Sequence, residues 1–119
     1  MTAEYPIHIP DYVVMFDPQS RNQLKDLAQV LAELLSTAED IGGPIHACLS
    51  TCAREISLLI EGTPEAFGLL ARWSERFGGV VSARPDTDRD GKAMVTTELR
   101  FTYLGAVVDL HAYVKPVTG

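Results

Sequence analysis

The sequence is short of basic residues, of cysteine and of long apolar runs. Its 10 Lys and Arg residues face 16 Asp and Glu residues, for a net charge of −6 at pH 7. Sequence-independent binding of nucleic acid needs a basic stripe, and no Lys/Arg cluster interleaved with aromatic residues occurs here. No apolar run reaches the roughly 18 residues of a membrane helix. These absences argue against nucleic acid and membrane as partners.

The N-terminal sequence MTAEYPIHIP has neither the basic region nor the apolar segment of a secretory signal, so we expect a cytoplasmic protein. Cys48 and Cys52 are the two cysteines, and cytoplasmic thiols usually stay reduced. If both lie on one strand, four residues separate them by about 13 Å, which is too far for a disulfide. We expect both thiols to be free and buried.

The chain of 119 residues is long enough for one domain with one core. Pro6 and Pro10 interrupt its beginning, so residues 1–16 are predicted to be an N-terminal arm with a short extended segment, and residues 17–119 a single domain. Acidic excess lies in the first half: residues 1–61 contain nine acids and three bases, and residues 62–119 contain seven of each.

Apolar spacing predicts a first helix that begins after Asp17 with Pro18 and ends before Gly42. Its apolar stripe recurs at steps of three and four residues: Leu24, Leu27, Ala28, Leu31, Leu34, Leu35 and Ala38. Val30 and Ala32 widen this stripe. The stripe is predicted to face the core, and its width raises the further hypothesis of a dimer interface.

A second helix is predicted after Thr63 as N-cap and Pro64 as first residue, with Gly78 and Gly79 at its end. Its inner face is predicted to contain Ala66, Phe67, Leu70, Trp73 and Phe77. Trp73 falls on the apolar stripe, so it is predicted to anchor the core.

Alternating apolar residues predict strands at Ile56–Ile60 and from Val80 onwards, whereas residues 45–52 fit either a separate strand or part of a longer, bulged one. A two-residue turn at Leu104-Gly105 would pair Thr102 with Val107, Arg100 with Asp109 and Glu98 with His111. We therefore predict an α+β fold, with an antiparallel sheet of four or five strands, a C-terminal meander and two helices packed on one face.

The loop RPDTDRDGKA places Asp86, Asp88 and Asp90 at alternate positions before Gly91, like the first half of a calcium loop. Position 12 of such a loop requires an acid, and it is Thr97 here. Strand patterns also flank the loop on both sides. The interpretation favoured is a hairpin loop with a positive-φ turn at Asp90-Gly91, and calcium binding is the alternative.

His46 and Cys48 would point the same way on a strand, as two ligands of a metal site do. A structural zinc site requires four ligands, usually as two close pairs, and the sequence has no second pair to accompany His46 and Cys48. Buried cysteines beside a hydrogen-bonded histidine are favoured over zinc. No cofactor is predicted.

Neither a nucleophile elbow nor a phosphate-binding loop occurs in the sequence. Strand alternation instead groups Glu98, Arg100, His111 and Tyr113 on the polar face of the C-terminal hairpin. These four residues are the predicted ligand or partner face, and cross-strand pairing on a solvated surface is the alternative.

The stretch IEGTPEAFGLLARWSERFGG, the acidic hairpin and YLGAVVDLHAYV resemble a loose group of small actinobacterial proteins, some similar to products of phages and integrative elements. This resemblance spans roughly residues 45–114 and rests on structural motifs, a helix cap and a hairpin turn. It implies no site residues, and it favours an accessory protein that acts by contact.

The function predicted from the sequence is a non-enzymatic protein-protein interaction module, homodimeric and of phage or mobile-element origin. One alternative is a small-molecule-binding protein with a pocket between sheet and helices near Trp73, Tyr103, His111 and Tyr113. A second alternative is a metal-dependent enzyme.

Overall fold

The computed structural model describes residues 18–116. The predicted arm, residues 1–16, and the predicted cap Asp17 therefore lie outside the described residues. Two helices, α1 (Pro18–Thr37) and α2 (Glu65–Phe77), combine with a sheet of five strands. The strands are β1 (Pro44–Ser50), β2 (Glu55–Ile60), β3 (Ser82–Thr87), β4 (Ala93–Tyr103) and β5 (Ala106–Val114). The predicted α+β class, the two helices and the five strands are confirmed.

The sheet has the order β1-β2-β5-β4-β3, and its central pair, β2 and β5, is parallel. The sheet is mostly antiparallel, as predicted, since the other three pairs are antiparallel, and only this pair departs from the prediction. The chain leaves β2 through α2 and then forms β3 and β4 before it returns as β5. A return through a helix allows parallel pairing, which a tight hairpin cannot provide.

Strand β1 is separate from β2, which settles the choice that the sequence left open for residues 45–52. Residues 51–54 form the turn, in which the Arg54 amide donates to the Thr51 carbonyl at 3.2 Å. Arg54 adopts a positive φ of 47° there. The β4–β5 turn at Leu104 and Gly105 also has positive φ at both residues, as a two-residue hairpin of type I′ requires.

One core cluster contains the buried residues of both helices and of alternate positions on the strands. From α1 it takes Leu27, Val30, Leu34 and Ala38, and from α2 it takes Ala66, Leu70 and Trp73. From the sheet it takes Ile56, Leu58, Ile60, Leu99, Phe101, Val108, Leu110, Ala112 and Val114, together with Ala106 at the start of β5. The opposite surface of the sheet, called the open face below, carries none of the cluster's strand residues.

The residues along the middle of each predicted apolar stripe are buried, whereas some residues at the edges of the stripes are exposed. Phe67 is 38% exposed, although it was placed on the inner face of α2. It follows Ala66, and each helical step of one residue turns the side chain by about 100°, away from the line of Ala66, Leu70 and Trp73. Ala28 and Leu35 of α1 are exposed for the same reason. Helix α2 begins one residue later than predicted, with Pro64 at the cap position.

Among residues 18–116, no helix combines the length and the apolar character needed to cross a bilayer.

Candidate interaction surfaces

Strands β4 and β5 hold the predicted partner residues on the open face. Their register pairs Glu98 with His111 and Arg100 with Asp109, as the two-residue turn predicted. Arg100 and Tyr113 are exposed, and the Tyr113 side chain is 48% exposed. The His111 and Tyr113 rings meet edge to face, with their centroids 5.5 Å apart. The structure therefore places all four residues on one surface, while their role in binding stays a prediction.

An acidic group lies at the centre of this face. Burial is the main cause that raises the pKa of Asp109 to about 6, and the neighbouring Glu98 raises it further, while the Arg100 charge lowers it. Within the described part of the chain, Oδ1 of Asp109 is buried without a hydrogen-bond partner. A protonated Asp109 can donate to Glu98, which two ionised carboxylates cannot do.

Arg100 does not donate a hydrogen bond to the unpaired Oδ1 of Asp109. Instead, Nη2 of Arg100 lies 3.5 Å from Oε2 of Glu55 on β2. This contact is long and its Arg100 side chain is 58% exposed, so the ion pair contributes little to stability. Glu55 also raises the pKa of Asp109. On β2, β4 and β5 the open face thus combines the carboxylates of Glu55, Glu98 and Asp109 with the Arg100 guanidinium and two aromatic rings, a composition suited to polar contacts with another surface.

The edge strand β1 is the second exposed surface. Its residues, PIHACLS, contain no charge, and Ile45 is 65% exposed. At the other edge of the sheet, β3 carries Arg84, Pro85 and Asp86 in its middle. Charges and proline on an edge strand block pairing with another chain. In β1 the proline and the register irregularity are confined to the first residues, Pro44 to His46, so the middle of β1 is less protected than the middle of β3.

Helix α1 turns a polar side towards the centre of the molecule. Arg54 donates to Asp26 at 2.7 Å, and the same guanidinium donates to the carbonyl of Gly105 at 3.0 Å, in the β4–β5 turn. Three turns later, the Thr37 hydroxyl lies 3.3 Å from the hydroxyl of Tyr103. Asp26 and Thr37 therefore mark the side of α1 that faces β4 and β5.

About half a turn away, α1 presents an apolar side, the α1 flank. It consists of Leu24, Ala28, Ala32 and Leu35. Leu24 is half-buried and the other three are exposed, with Leu35 at 40%. Because α1 packs against β1 and β2, a flank that points away from β4 and β5 lies on the same side of the molecule as the outer edge of β1. The α1 flank and the β1 edge are therefore neighbouring surfaces.

His46 and Cys48 lie beside each other on the open face of β1, opposite Leu59 and Ser57 of β2. Both are exposed, and Cys52 is exposed too. The prediction that the cysteines are buried was wrong, because among residues 18–116 no strand pairs with the outer side of β1. Within residues 18–116, no three His, Cys, Asp or Glu side chains are grouped closely enough to hold a metal ion.

The acidic loop is a hairpin loop between β3 and β4, as the sequence predicted. Oδ1 of Asp88 accepts hydrogen bonds from the amides of Asp90 and Lys92, at 2.8 and 2.9 Å. Asp86 accepts from the Thr96 hydroxyl at 3.2 Å, and Gly91 has a φ of 79°. The carboxylates of Asp86 and Asp88 therefore organise the turn.

The pocket predicted between sheet and helices does not bring its four residues together. Trp73 is fully buried in the core against Phe101, whereas His111 and Tyr113 lie on the open face, on the other side of the sheet. Tyr103 contacts Phe77 on the helix side. The sheet thus separates the two pairs.

A shallow cleft of about 290 Å³ lies elsewhere, between α2 and the turn after α1. It is lined by Ile41, Arg72, Glu75 and Arg76. Both terminal nitrogens of Arg76 donate to Asp40 at 2.8 Å, which holds the pKa of that carboxyl at about 2. Since Asp40 already occupies the Arg76 guanidinium, the cleft is a poor site for an anion.

Comparison with known protein families finds none whose model matches this chain, and comparison with curated proteins finds no significant match.

Proposed function

We propose that this protein is a non-enzymatic interaction module of the cytoplasm, which forms a homodimer and contacts another protein through its open face. The observation that carries the proposal is the row of Glu98, Arg100, His111 and Tyr113 on β4 and β5. Nine residue pairs join these two strands, so the row stands on a rigid support. Arg and Tyr are enriched in protein interfaces, where each combines apolar contact with hydrogen bonding.

The alternatives predicted from the sequence have weaker support. A small-molecule site would need an enclosed pocket, and the residues proposed for it lie on opposite faces of the sheet. For a metal-dependent enzyme, the described residues offer no group of three ligands. An accessory role in a phage or mobile element remains part of the proposal, supported by the resemblance in residues 45–114.

A capture experiment tests the partner face. The tagged protein would be incubated with native host extract, and bound proteins would be identified by mass spectrometry. We expect Arg100→Ala combined with Tyr113→Ala to abolish capture of a specific protein, because both side chains are exposed on the open face.

Gln29→Ala is the matched control, since Gln29 is exposed on α1, away from that face. It should capture the same protein as the unaltered chain. Equal capture by all three proteins would show that the open face is not the binding surface.

A further inference from the structure

We infer that the homodimer forms by antiparallel pairing of β1 with β1 of a second copy, with the two α1 helices packed side by side along the same interface. This inference rests on the proposed homodimer and names the surface that forms it. An isologous dimer requires a patch that complements itself. The β1 edge and the α1 flank meet this requirement in strand spacing, in length and in charge.

Strand spacing brings the two helices to packing distance. Neighbouring strands lie about 4.8 Å apart, so a two-fold axis between paired β1 strands lies about 2.4 Å outside each one. Helix α1 packs against β1 and β2, which places its axis about one strand spacing, roughly 4.8 Å, from the two-fold axis. The two helix axes would then be about 10 Å apart, within the range of packed helices.

The two elements also match along their length. Ala47, the middle residue of β1, lies three residues after Pro44, or about 10 Å of strand. The α1 flank runs from Leu24 to Leu35, so its middle lies at the level of residue 30, eight residues before Ala38, or about 12 Å of helix. The middle of β1 and the middle of the α1 flank therefore lie at similar distances from the turn that joins α1 to β1. One two-fold axis can pass close to both.

Charge at the interface favours a second copy of this chain. A protein with a net charge of −6 repels its own copies, yet the β1 edge and the α1 flank contain no charged residue. Arg21 lies beyond one end of the flank and Glu39 beyond the other. An antiparallel arrangement of two α1 helices sets Arg21 of each copy at the level of Glu39 of the other, so ends of opposite charge meet rather than ends of like charge.

The first test measures the oligomer by light scattering after size exclusion, at roughly tens of micromolar, where a dissociation constant in the low micromolar range gives mostly dimer. We expect a dimer for the unaltered chain. Leu35→Glu places a charge in the α1 flank and should raise the dissociation constant roughly tenfold or more. Gln29→Glu adds the same charge to an exposed position off the flank and should leave the dimer intact.

The second test fixes the strand register by cross-linking. With Cys48→Ser and Cys52→Ser as background, Ala47→Cys should form an intermolecular disulfide under mild oxidation, because pairing about Ala47 brings the two Cα atoms within about 6 Å. Ala83→Cys in the same background is the matched control. Ala83 is likewise an exposed alanine on an edge strand, β3, and it should not cross-link.

The outcomes separate this inference from the function on which it rests. A monomeric unaltered chain would contradict the proposed homodimer itself. A dimer that resists Leu35→Glu, or that cross-links through Ala83→Cys and not through Ala47→Cys, would overturn the β1 interface while the homodimer stands.

Discussion

The indole Nε1 of Trp73 donates a hydrogen bond of 3.0 Å to the carbonyl oxygen of Gly42. This bond joins the middle of α2 to the turn that follows α1. The ring of Trp73 is fully buried and lies 5.3 Å from Phe77 and 6.4 Å from Phe101, measured between centroids. Trp73 therefore connects both helices to the sheet through one side chain.

Replacing Trp73 by Phe should destabilise the protein by about 2–3 kcal/mol, because it leaves a cavity and a carbonyl without its donor. Urea unfolding followed by circular dichroism measures this change. Phe67→Leu is the control, since Phe67 is partly exposed on the same helix and its replacement should cost less than about 1 kcal/mol. Similar losses in both variants would argue against Trp73 as the anchor.

Two glycines should respond to alanine in opposite directions. At Gly79 the added Cβ would meet the backbone carbonyl of Arg100, and φ is +87°, so Gly79→Ala should cost at least about 2 kcal/mol. Gly68 lies within α2 and its Cβ would meet no atom within 4 Å. Gly68→Ala should therefore stabilise by about 0.5–1 kcal/mol. Thermal unfolding compares the two, and a stabilised Gly79→Ala protein would contradict the close approach to β4.

Asp109→Asn should stabilise the protein at neutral pH. The pKa of Asp109 is raised to about 6 in the folded state from an ordinary value of 3.8. Between about pH 4 and about pH 6 the Asp109 carboxyl is therefore protonated in the folded protein and ionised in the unfolded chain. The free energy of unfolding falls as the pH rises through this range. Because Asp109 is only partly buried, solvent screening reduces the cost of ionising it, so we expect Asp109→Asn to raise the free energy of unfolding by about 1 kcal/mol at pH 7.

The increase in the free energy of unfolding caused by Asp109→Asn should become smaller towards pH 4, because the Asp109 carboxyl of the unaltered folded protein is protonated there. Urea unfolding at several pH values between 4 and 8 measures it. Glu33→Gln, at an exposed position on α1, is a control with the same charge change. A gain that does not vary with pH would show that Asp109 ionises in its ordinary range.

Within the acidic loop, Asp88→Ala should lower the melting temperature more than Asp90→Ala. The amides of Lys92 and then Asp90 lower the pKa of the Asp88 carboxyl. A lowered pKa contributes stability above the ordinary value of 3.8, and this stability is lost as pH falls through the folded value. The difference between the variants should therefore narrow in acid. Differential scanning calorimetry at pH 7 and at low pH measures it.

Calcium provides the complementary check on this loop. Because the oxygens of Asp88 serve the backbone and Lys115, whose Nζ lies 3.7 Å from Oδ2, added calcium should leave the melting temperature unchanged. A rise in melting temperature that Asp86→Ala removes would restore the calcium interpretation.

The C-terminal hairpin shows how much local sequence can decide. A two-residue turn at Leu104-Gly105 predicts that Arg100 faces Asp109, and the structure has that pair. Strand alternation then predicts which face holds Glu98, His111 and Tyr113. Both inferences need only turn geometry and the two-residue period of a strand, which are properties of neighbouring residues.

The candidate interface shows what local sequence cannot decide. The width of the α1 stripe raised a dimer interface as a hypothesis, but periodicity could not tell which part of the stripe faces away from β4 and β5. That part follows from the contacts of Asp26 with Arg54 and of Thr37 with Tyr103, which mark the opposite side of the helix. Both join residues far apart in the chain, so no local pattern contains them.

The sequence by itself determined the two helices, the C-terminal strands with their register, and the hairpin loop at Asp88. Only the tertiary structure decided that β2 pairs in parallel with β5, that β1 lies at an edge, and that Cys48 is exposed there. The physical reason is that turns, caps and alternation arise from steric and hydrogen-bonding preferences over a few residues. Strand order depends instead on which apolar surfaces, brought together from the whole chain, bury one another best.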